Sequence, residues 1–173
     1  IICDYVIQTP LIEEQKLEHL FVRYNIREEN DKRLFLSAMI SLKSISCGHS
    51  HHLLIYSNSK NSSLKIIHCI QMFLTDGFID LPELYFSNYD SEMKSKDQKQ
   101  IIDNFEKSKF GIISCVYCLG EGWDFPLLDG VVVAENMSSD IRIVQSLLRP
   151  CRKNTNEPNK RNKIILPILN KDD

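Results

Sequence analysis

His52-Leu-Leu-Ile-Tyr56 decides the fold. A strand with one wet face alternates apolar and polar residues. An unbroken apolar run this short is the mark of a strand buried on both faces, as in a parallel sheet covered by helices. Downstream, Ser62 is placed to cap a helix that runs to about Thr75 and stops at Asp76-Gly77. Residues 83–86 read as a second strand. Residues 91–107 read as a polar helix with Ile101, Ile102 and Phe105 as its buried stripe. Residues 110–116 and 130–134 are a third and a fourth strand, Ser138 or Ser139 caps a helix through Leu148, and residues 163–168 are a fifth strand. Upstream, Leu34, Phe35, Ala38, Met39, Leu42 and Ile45 put one apolar face on a helix over 32–46, ended near Gly48. Residues 27–32 are a charged run that reads as a solvated connection, residues 12–21 as helical, and residues 3–9 as an extended segment closed by Pro10. Strands alternating with helices imply βαβ units and one parallel sheet with helices on both faces, an α/β fold without internal repeats. Ligands of such sheets lie beyond the carboxyl ends of the strands. Attention therefore falls on the loops after Tyr56, Phe86, Val116 and Ala134.

The chain has 173 residues, 43% hydrophobic and 25% charged, which suits one globular domain. That length buries roughly two thirds of the unfolded surface. A formal charge of −2 sets up no global basic field, against a tail-driven or histone-like binder, and leaves room for local phosphate contacts. No apolar run reaches the roughly 18 residues of a membrane span, so no membrane partner is expected. The start, Ile1-Ile-Cys-Asp-Tyr-Val-Ile-Gln-Thr-Pro10, lacks the pattern of a signal peptide and does not begin with Met, and the chain is expected to be a piece of something longer. Of six cysteines only Cys115 and Cys118 have C-x-x-C spacing; a zinc ribbon needs a second such pair. Buried free thiols are expected, in a reducing, intracellular compartment, cytoplasmic or nuclear.

Two stretches carry chemistry. In Gly120-Glu-Gly-Trp-Asp-Phe-Pro126, Gly122 permits close backbone approach, Asp124 sets a carboxylate just after the turn, and Pro126 rigidifies the exit. Such a carboxylate accepts hydrogen bonds from a ribose or orients a neighbouring arginine. A plain turn punctuated by Gly and Pro, with Asp as its cap, accounts for the same seven residues equally well. In Gln145-Ser-Leu-Leu-Arg-Pro-Cys-Arg152, Gln145 and Arg149 share a helix face, Pro150 stops the helix, and Arg152 leaves from its end. Two guanidiniums there suit phosphate oxygens. They also suit a helix C-terminus, which attracts cations without any ligand.

The order strand, G-x-D-x-P loop, strand, Q-x-x-x-R-x-x-R helix resembles motifs V and VI of superfamily 2 helicases. His52-Leu-Leu-Ile-Tyr-Ser-Asn-Ser59 looks like motif IV, at the first strand of that family's second RecA-like lobe. Asn104-Phe105 followed by Phe110-Gly-Ile-Ile-Ser-Cys-Val116 matches the approach to motif V, and residues 1–10 resemble the strand that crosses over from the first lobe. The combination of GEGWDFP with QSLLRPCR is most similar to helicases of large DNA viruses, whose site of action would be viral replication, and of restriction-type bacterial motors. The resemblance implies a RecA-like lobe over 11–173, the second half of an ATP-dependent helicase or translocase. It implies Arg149 and Arg152 as arginine fingers that reach across the interlobe cleft to the γ-phosphate. It places Gln145 at the nucleotide, Gly122 and Asp124 near the ribose, and Ser57, Asn58 and Asn88 on the nucleic-acid backbone, DNA or RNA. Three positions depart from the family pattern: Ser146 replaces an arginine, Leu148 a glycine, and Val116 a strand-contacting threonine. Ser114, two residues before Val116 on the same strand face, is the candidate contact there.

A phosphate-cradling G-x-x-x-x-G-K-[S/T] loop is absent from these residues, and so is a D-E-x-[D/H] carboxylate pair on a strand. The resemblance therefore assigns ATP with Mg²⁺, and the metal itself, to a first lobe that would be this lobe's partner. Glu13-Glu14 and Glu28-Glu29 read as solvated charges, and His49, His51 and His52 as a polar loop without acidic or cysteine ligands at metal spacing. Trp123 and Phe125 read as loop packing in preference to base stacking, and residues 153–163 as a basic, turn-rich loop. A degenerate, non-catalytic RecA-like module that binds a protein partner is the alternative. It has no physical need for the paired arginines. A small nucleotide-binding or transferase domain ranks last, since no Gly-rich loop follows its first strand.

Overall fold

A computed structural model describes residues 5–116, 127–135 and 162–171. In chain order the elements are β1 (Tyr5–Gln8), β2 (Leu11–Glu13), α1 (Glu14–Arg23), α2 (Glu29–Ser46), β3 (His52–Ser57), α3 (Lys60–Thr75), β4 (Leu84–Tyr89), α4 (Ser95–Lys107), β5 (Phe110–Val116), β6 (Gly130–Val133), β7 (Asn162–Ile165) and β8 (Ile168–Asn170). Six strands form one sheet in the order β1-β7-β6-β3-β5-β4, and every pairing is parallel. The expected α/β architecture is therefore present, and it is RecA-like.

All six residues of β3 are buried, as the unbroken apolar run requires of a central strand. Alternate residues feed two cores. Leu53, Ile55, Ile112, Val132 and Ile165 face the layer made by α1, α2 and α3, where Phe21, Phe35 and Phe73 are the large fillers. Phe35 lies 4.8 Å from Phe73 and 5.5 Å from Phe21, centroid to centroid, in tilted and edge-on contacts. Burying one such ring stabilises by roughly 1.5–3 kcal/mol. Leu54, Tyr56, Ile113, Cys115, Val131 and Ile164 face the opposite side, where Phe105 of α4 packs with Ile101 and Ile102.

Several boundaries differ from the sequence reading, each for a local reason. Ser59, not Ser62, caps α3: its side chain accepts the Ser62 backbone N–H at 3.1 Å. The charged run at 27–32 is not wholly a connection, because α2 already starts at Glu29. Its first turn carries Glu29 and Asp31, which complement the helix dipole, and Lys32 reaches Glu14 of α1 at 2.6 Å. Glu14 and Lys32 are thus a largely enclosed pair joining two helices, while Asp31 takes Lys65 of α3 at 2.9 Å. The polar helix expected over 91–107 begins at Ser95, after a turn in which Asp90 Oδ1 accepts the Glu92 N–H at 2.9 Å. The strand expected over 163–168 divides into β7 and β8 around Pro167, and the upstream segment divides opposite it around Pro10. Proline has no N–H to give to a ladder, so a parallel ribbon with a proline in each strand separates into two short pieces. Leu166 N–H to Gln8 O at 2.8 Å and Ile168 N–H to Pro10 O at 2.9 Å carry the ribbon across the break.

Candidate functional site

The strand order fixes the sheet's topological switch point. From β3 the chain leads through α3 to β4 on one side, and from β6 it leads to β7 on the other. At the carboxyl ends of β3 and β6 successive connections go to opposite sides, which makes this the topological switch point, where open α/β sheets bind their ligands. The two strands are in register there, Tyr56 beside Val133, and the ladder extends one step further as Ala134 N–H donates to Tyr56 O at 2.9 Å.

Three segments meet at this end. The turn Ser57–Ser59 leads from β3 into α3. Ser57 is fully buried, and its hydroxyl donates to Ser59 O at 3.3 Å, so its side chain shapes the turn from inside. Asn58 is exposed, and its backbone N–H donates at 2.8 Å to Glu135 Oε1 at the exit of β6. The first turn of α2 comes in from the side: Asn30 Nδ2 donates to Glu135 Oε2 at 2.9 Å. Lys60, the first residue of α3, lies 3.1 Å from Glu92 and 3.7 Å from Asp90 beyond β4. Glu92 chiefly, with Asp90, holds the Lys60 pKa above its ordinary value.

The four candidates for nucleic-acid contact fare differently. Asn58 is at the surface, and Asn88 is half-buried near the end of the edge strand β4. Ser57 is turned inward, as just described. Ser114 is fully buried; its hydroxyl donates to Ser63 O at 2.9 Å and lies 2.9 Å from the Ser63 hydroxyl, so it ties β5 to α3. Gly122, Asp124, Gln145, Arg149 and Arg152 lie outside the described residues, as do Trp123, Phe125, Cys118 and the helix expected through Leu148. The chain enters those segments from the carboxyl ends of β5 and β6.

Sequence reasoning missed Glu135, Asn30 and Lys60. Glu135 had a signal: a charged residue immediately after Gly-Val-Val-Val-Ala, at the carboxyl end of a buried strand. Asn30 had none, because its partner is 105 residues away.

The histidine loop belongs to the opposite, amino end of the sheet. Asp129, just before β6, accepts the His51 N–H at 2.7 Å, and His52 Nε2 lies 2.9 Å from Ser108 O. Lys163 donates to His49 O. These contacts brace strand entries, and among the described residues no group of three or more His, Cys, Asp or Glu is placed to hold a metal ion. Among the described residues, Cys47 and Cys69 are free thiols. No helix among the described residues is long and apolar enough to cross a membrane.

Comparison with known proteins fits this geometry. The ATP-dependent type ISP restriction-modification enzyme LlaBIII, bound to DNA, shares the fold with a TM-score of 0.73 at 19% identity, over 98% of this chain and 12% of that one. Domain 2 of the DEAD-box helicase Mss116p, bound to an RNA duplex, matches with a TM-score of 0.61 at 15% identity, over 94% of this chain and 54% of that one. Dbp5 of S. cerevisiae, bound to RNA and ADP BeF3, matches with a TM-score of 0.60 at 11% identity, over 99% of this chain and 37% of that one. The chain thus spans about half of the Mss116p chain and smaller shares of the other two. No curated protein matches it. The model of the helicase conserved C-terminal domain matches residues 31–154, well over half of the sequence. With a parallel RecA-like sheet in place, the chain belongs to the helicase conserved C-terminal domain family.

Proposed function

We propose that this chain is the second motor lobe of a nucleic-acid-stimulated ATPase, a helicase or translocase. In this reading residues 1–10 lead in from a first lobe that holds ATP and Mg²⁺. The single observation that carries it is the strand order, which puts the topological switch point between β3 and β6. The exposed turn at Asn58 lies on one side of it, and the segments bearing Gly122, Asp124, Gln145, Arg149 and Arg152 leave from the neighbouring strand ends. Support comes also from the family and from two of the relatives, one described as ATP-dependent and bound to DNA, the other as bound to RNA and ADP BeF3.

The chemistry of the donor set fits a triphosphate. Two guanidiniums offer charged, planar forks to phosphate oxygens, and Gln145 offers an amide on the same helix face as Arg149. When ATP is bound across the cleft it supplies a phosphoryl group on which negative charge is redistributed during transfer. Arg149 and Arg152 stabilise that charge, as arginine fingers do by roughly 10³ to 10⁵ in rate. Gly122 lets the backbone approach the nucleotide closely, and Asp124 accepts a ribose hydroxyl. On the nucleic-acid side, Asn58, Asn88 and main-chain groups hold a DNA or RNA backbone without reading sequence. Ser57 and Ser114 contribute by setting the turn and the packing of α3 beneath it. A restriction-type motor is compatible with this reading, since LlaBIII shares the fold.

The test uses the full-length parent. Arg149→Ala and Arg152→Ala are each expected to lower nucleic-acid-stimulated ATP turnover by roughly 10³-fold or more, with ATP affinity near that of wild type. The 173-residue chain alone, without a phosphate loop, is expected to turn over no ATP. Unchanged turnover in both variants makes the arginines helix caps and leaves a non-catalytic module that binds a protein partner.

A further inference from the structure

Glu135 is the first charged residue beyond β6, and only 7% of its surface is exposed. Both carboxylate oxygens are used. Oε1 accepts the Asn58 backbone N–H at 2.8 Å, and Oε2 accepts Asn30 Nδ2 at 2.9 Å. Among the described residues, these two direct donors are neutral. Removing a carboxylate from water is costly unless its oxygens are hydrogen-bonded and nearby fields favour the charge. Here two helices and the nearby Lys65 ammonium supply that field. Asn30 belongs to the first turn of α2, and Asn58 immediately precedes the cap of α3, so the carboxylate lies at the positive ends of both helix dipoles.

One side chain therefore joins segments separated by 105 and 77 residues in sequence. What it holds is specific. Ser57 fixes the β3–α3 turn from inside and Ser59 caps α3, but neither sets the peptide plane of Asn58 against the sheet. The bond from its N–H to Glu135 does. We infer that Glu135 is a positioning residue for nucleic-acid binding: it locks the exposed Asn58 turn into the one conformation that meets a nucleic-acid backbone. The inference rests on the proposed function, which makes nucleic acid the ligand of that turn. Glu135 itself touches no strand, since its oxygens point into the protein.

The experiment uses the full-length parent and three probes: oligo(dT), oligo(U) and a mixed-sequence DNA duplex. ATP turnover is titrated with each probe for wild type, Glu135→Ala, Glu135→Gln and Glu135→Asp, and thermal melting is recorded alongside. For the stimulating probe, Glu135→Ala raises the half-saturating concentration by roughly tenfold, the scale expected for loss of a hydrogen bond to a charged group. Turnover at saturating probe stays within about twofold. Glu135→Gln keeps a carbonyl oxygen for the Asn58 N–H and, with the Asn30 amide turned over, both bonds; it restores most of the affinity. A lowered melting temperature with unmoved half-saturation makes Glu135 a packing group and overturns the inference. Should Glu135→Ala not be recovered folded, Glu135→Asp decides: it keeps the charge but shortens the reach by one methylene. The same rise supports the inference and an unchanged titration overturns it. A wild type that none of the probes stimulates sinks the motor reading itself and this inference with it. A stimulated wild type with indifferent variants sinks only the role of Glu135.

Discussion

Cys47 and Cys69 sit at opposite extremes of accessibility, and their chemistry should follow. Cys47 is exposed at the end of α2. Cys69 is buried against α2, and burial chiefly, with Asp31 nearby, pushes its thiol pKa up to about 12. At pH 8 that leaves a thiolate fraction of about 10⁻⁴, and the thiolate is the nucleophile. Iodoacetamide on the folded protein is therefore expected to label Cys47 readily and Cys69 only after unfolding; equal rates by peptide mass mapping would contradict the packing around α3. Gly111 makes a second prediction at this scale. A Cβ there would stand 2.5 Å from Phe105 Cδ2 and 2.9 Å from Ser108 Oγ, and Phe105 is fully buried and has nowhere to retreat. Gly111→Ala should cost about 1–3 kcal/mol by overpacking, read as a lower urea midpoint at unchanged slope. Single residues were also where sequence reading was weakest. Ser57 and Ser114 have the right chemistry for a phosphate, and residue type alone does not say whether a hydroxyl points into a crevice or into α3. Glu135 reads as an ordinary charge after a strand until Asn30 and Asn58 are brought to it from afar.

At the scale of elements the sequence was more explicit. β5 matches its expected bounds at both ends, and β3 and β6 each differ by one residue. The apolar runs end where loop residues begin, and a strand buried on both faces tolerates little else. Helix starts were harder, because serines compete for the cap. Ser59, Ser62 and Ser63 all precede or open the apolar stripe of α3, and Ser59 wins because its backbone is still extended, at φ −145° and ψ 157°. An N-cap must have that geometry for its side chain to accept from two or three residues ahead. Ser59→Ala should lower stability by about 1 kcal/mol, and Ser59→Asp should retain most of it, both by chemical denaturation. An equal loss in both variants would put the stability in the Ser59–Ser62 hydroxyl contact instead of the cap. Helix α2 was read three residues short since charges there look like a solvated link. Lys32 and Asp31 are in fact bonded to α1 and α3, contacts that no local pattern contains.

For the whole molecule, the class of fold was legible and the order of its strands was not. Alternation of short apolar runs with amphipathic stretches is a local property, and it dictates a parallel sheet between helical layers. The order β1-β7-β6-β3-β5-β4 depends on which strands meet across the chain, and it puts the switch point between β3 and β6. The expected loops after Tyr56 and Ala134 leave from that point. Those after Val116 and Ala134 lead into the segments bearing the arginine and carboxylate candidates, outside the described residues.

The seam between the first and last described strands has a further consequence. β1 runs beside β7 over four register pairs and β2 beside β8 over three, each pair parallel. Tension applied ahead of β1 and beyond β8 pulls the two strands of the ribbon past each other along their length. Their hydrogen bonds lie across that line and bear the load together, in shear; a hairpin peeled from one end would lose them one at a time. Under such a pull the ribbon is a mechanical clamp that takes the load before the helices behind it do.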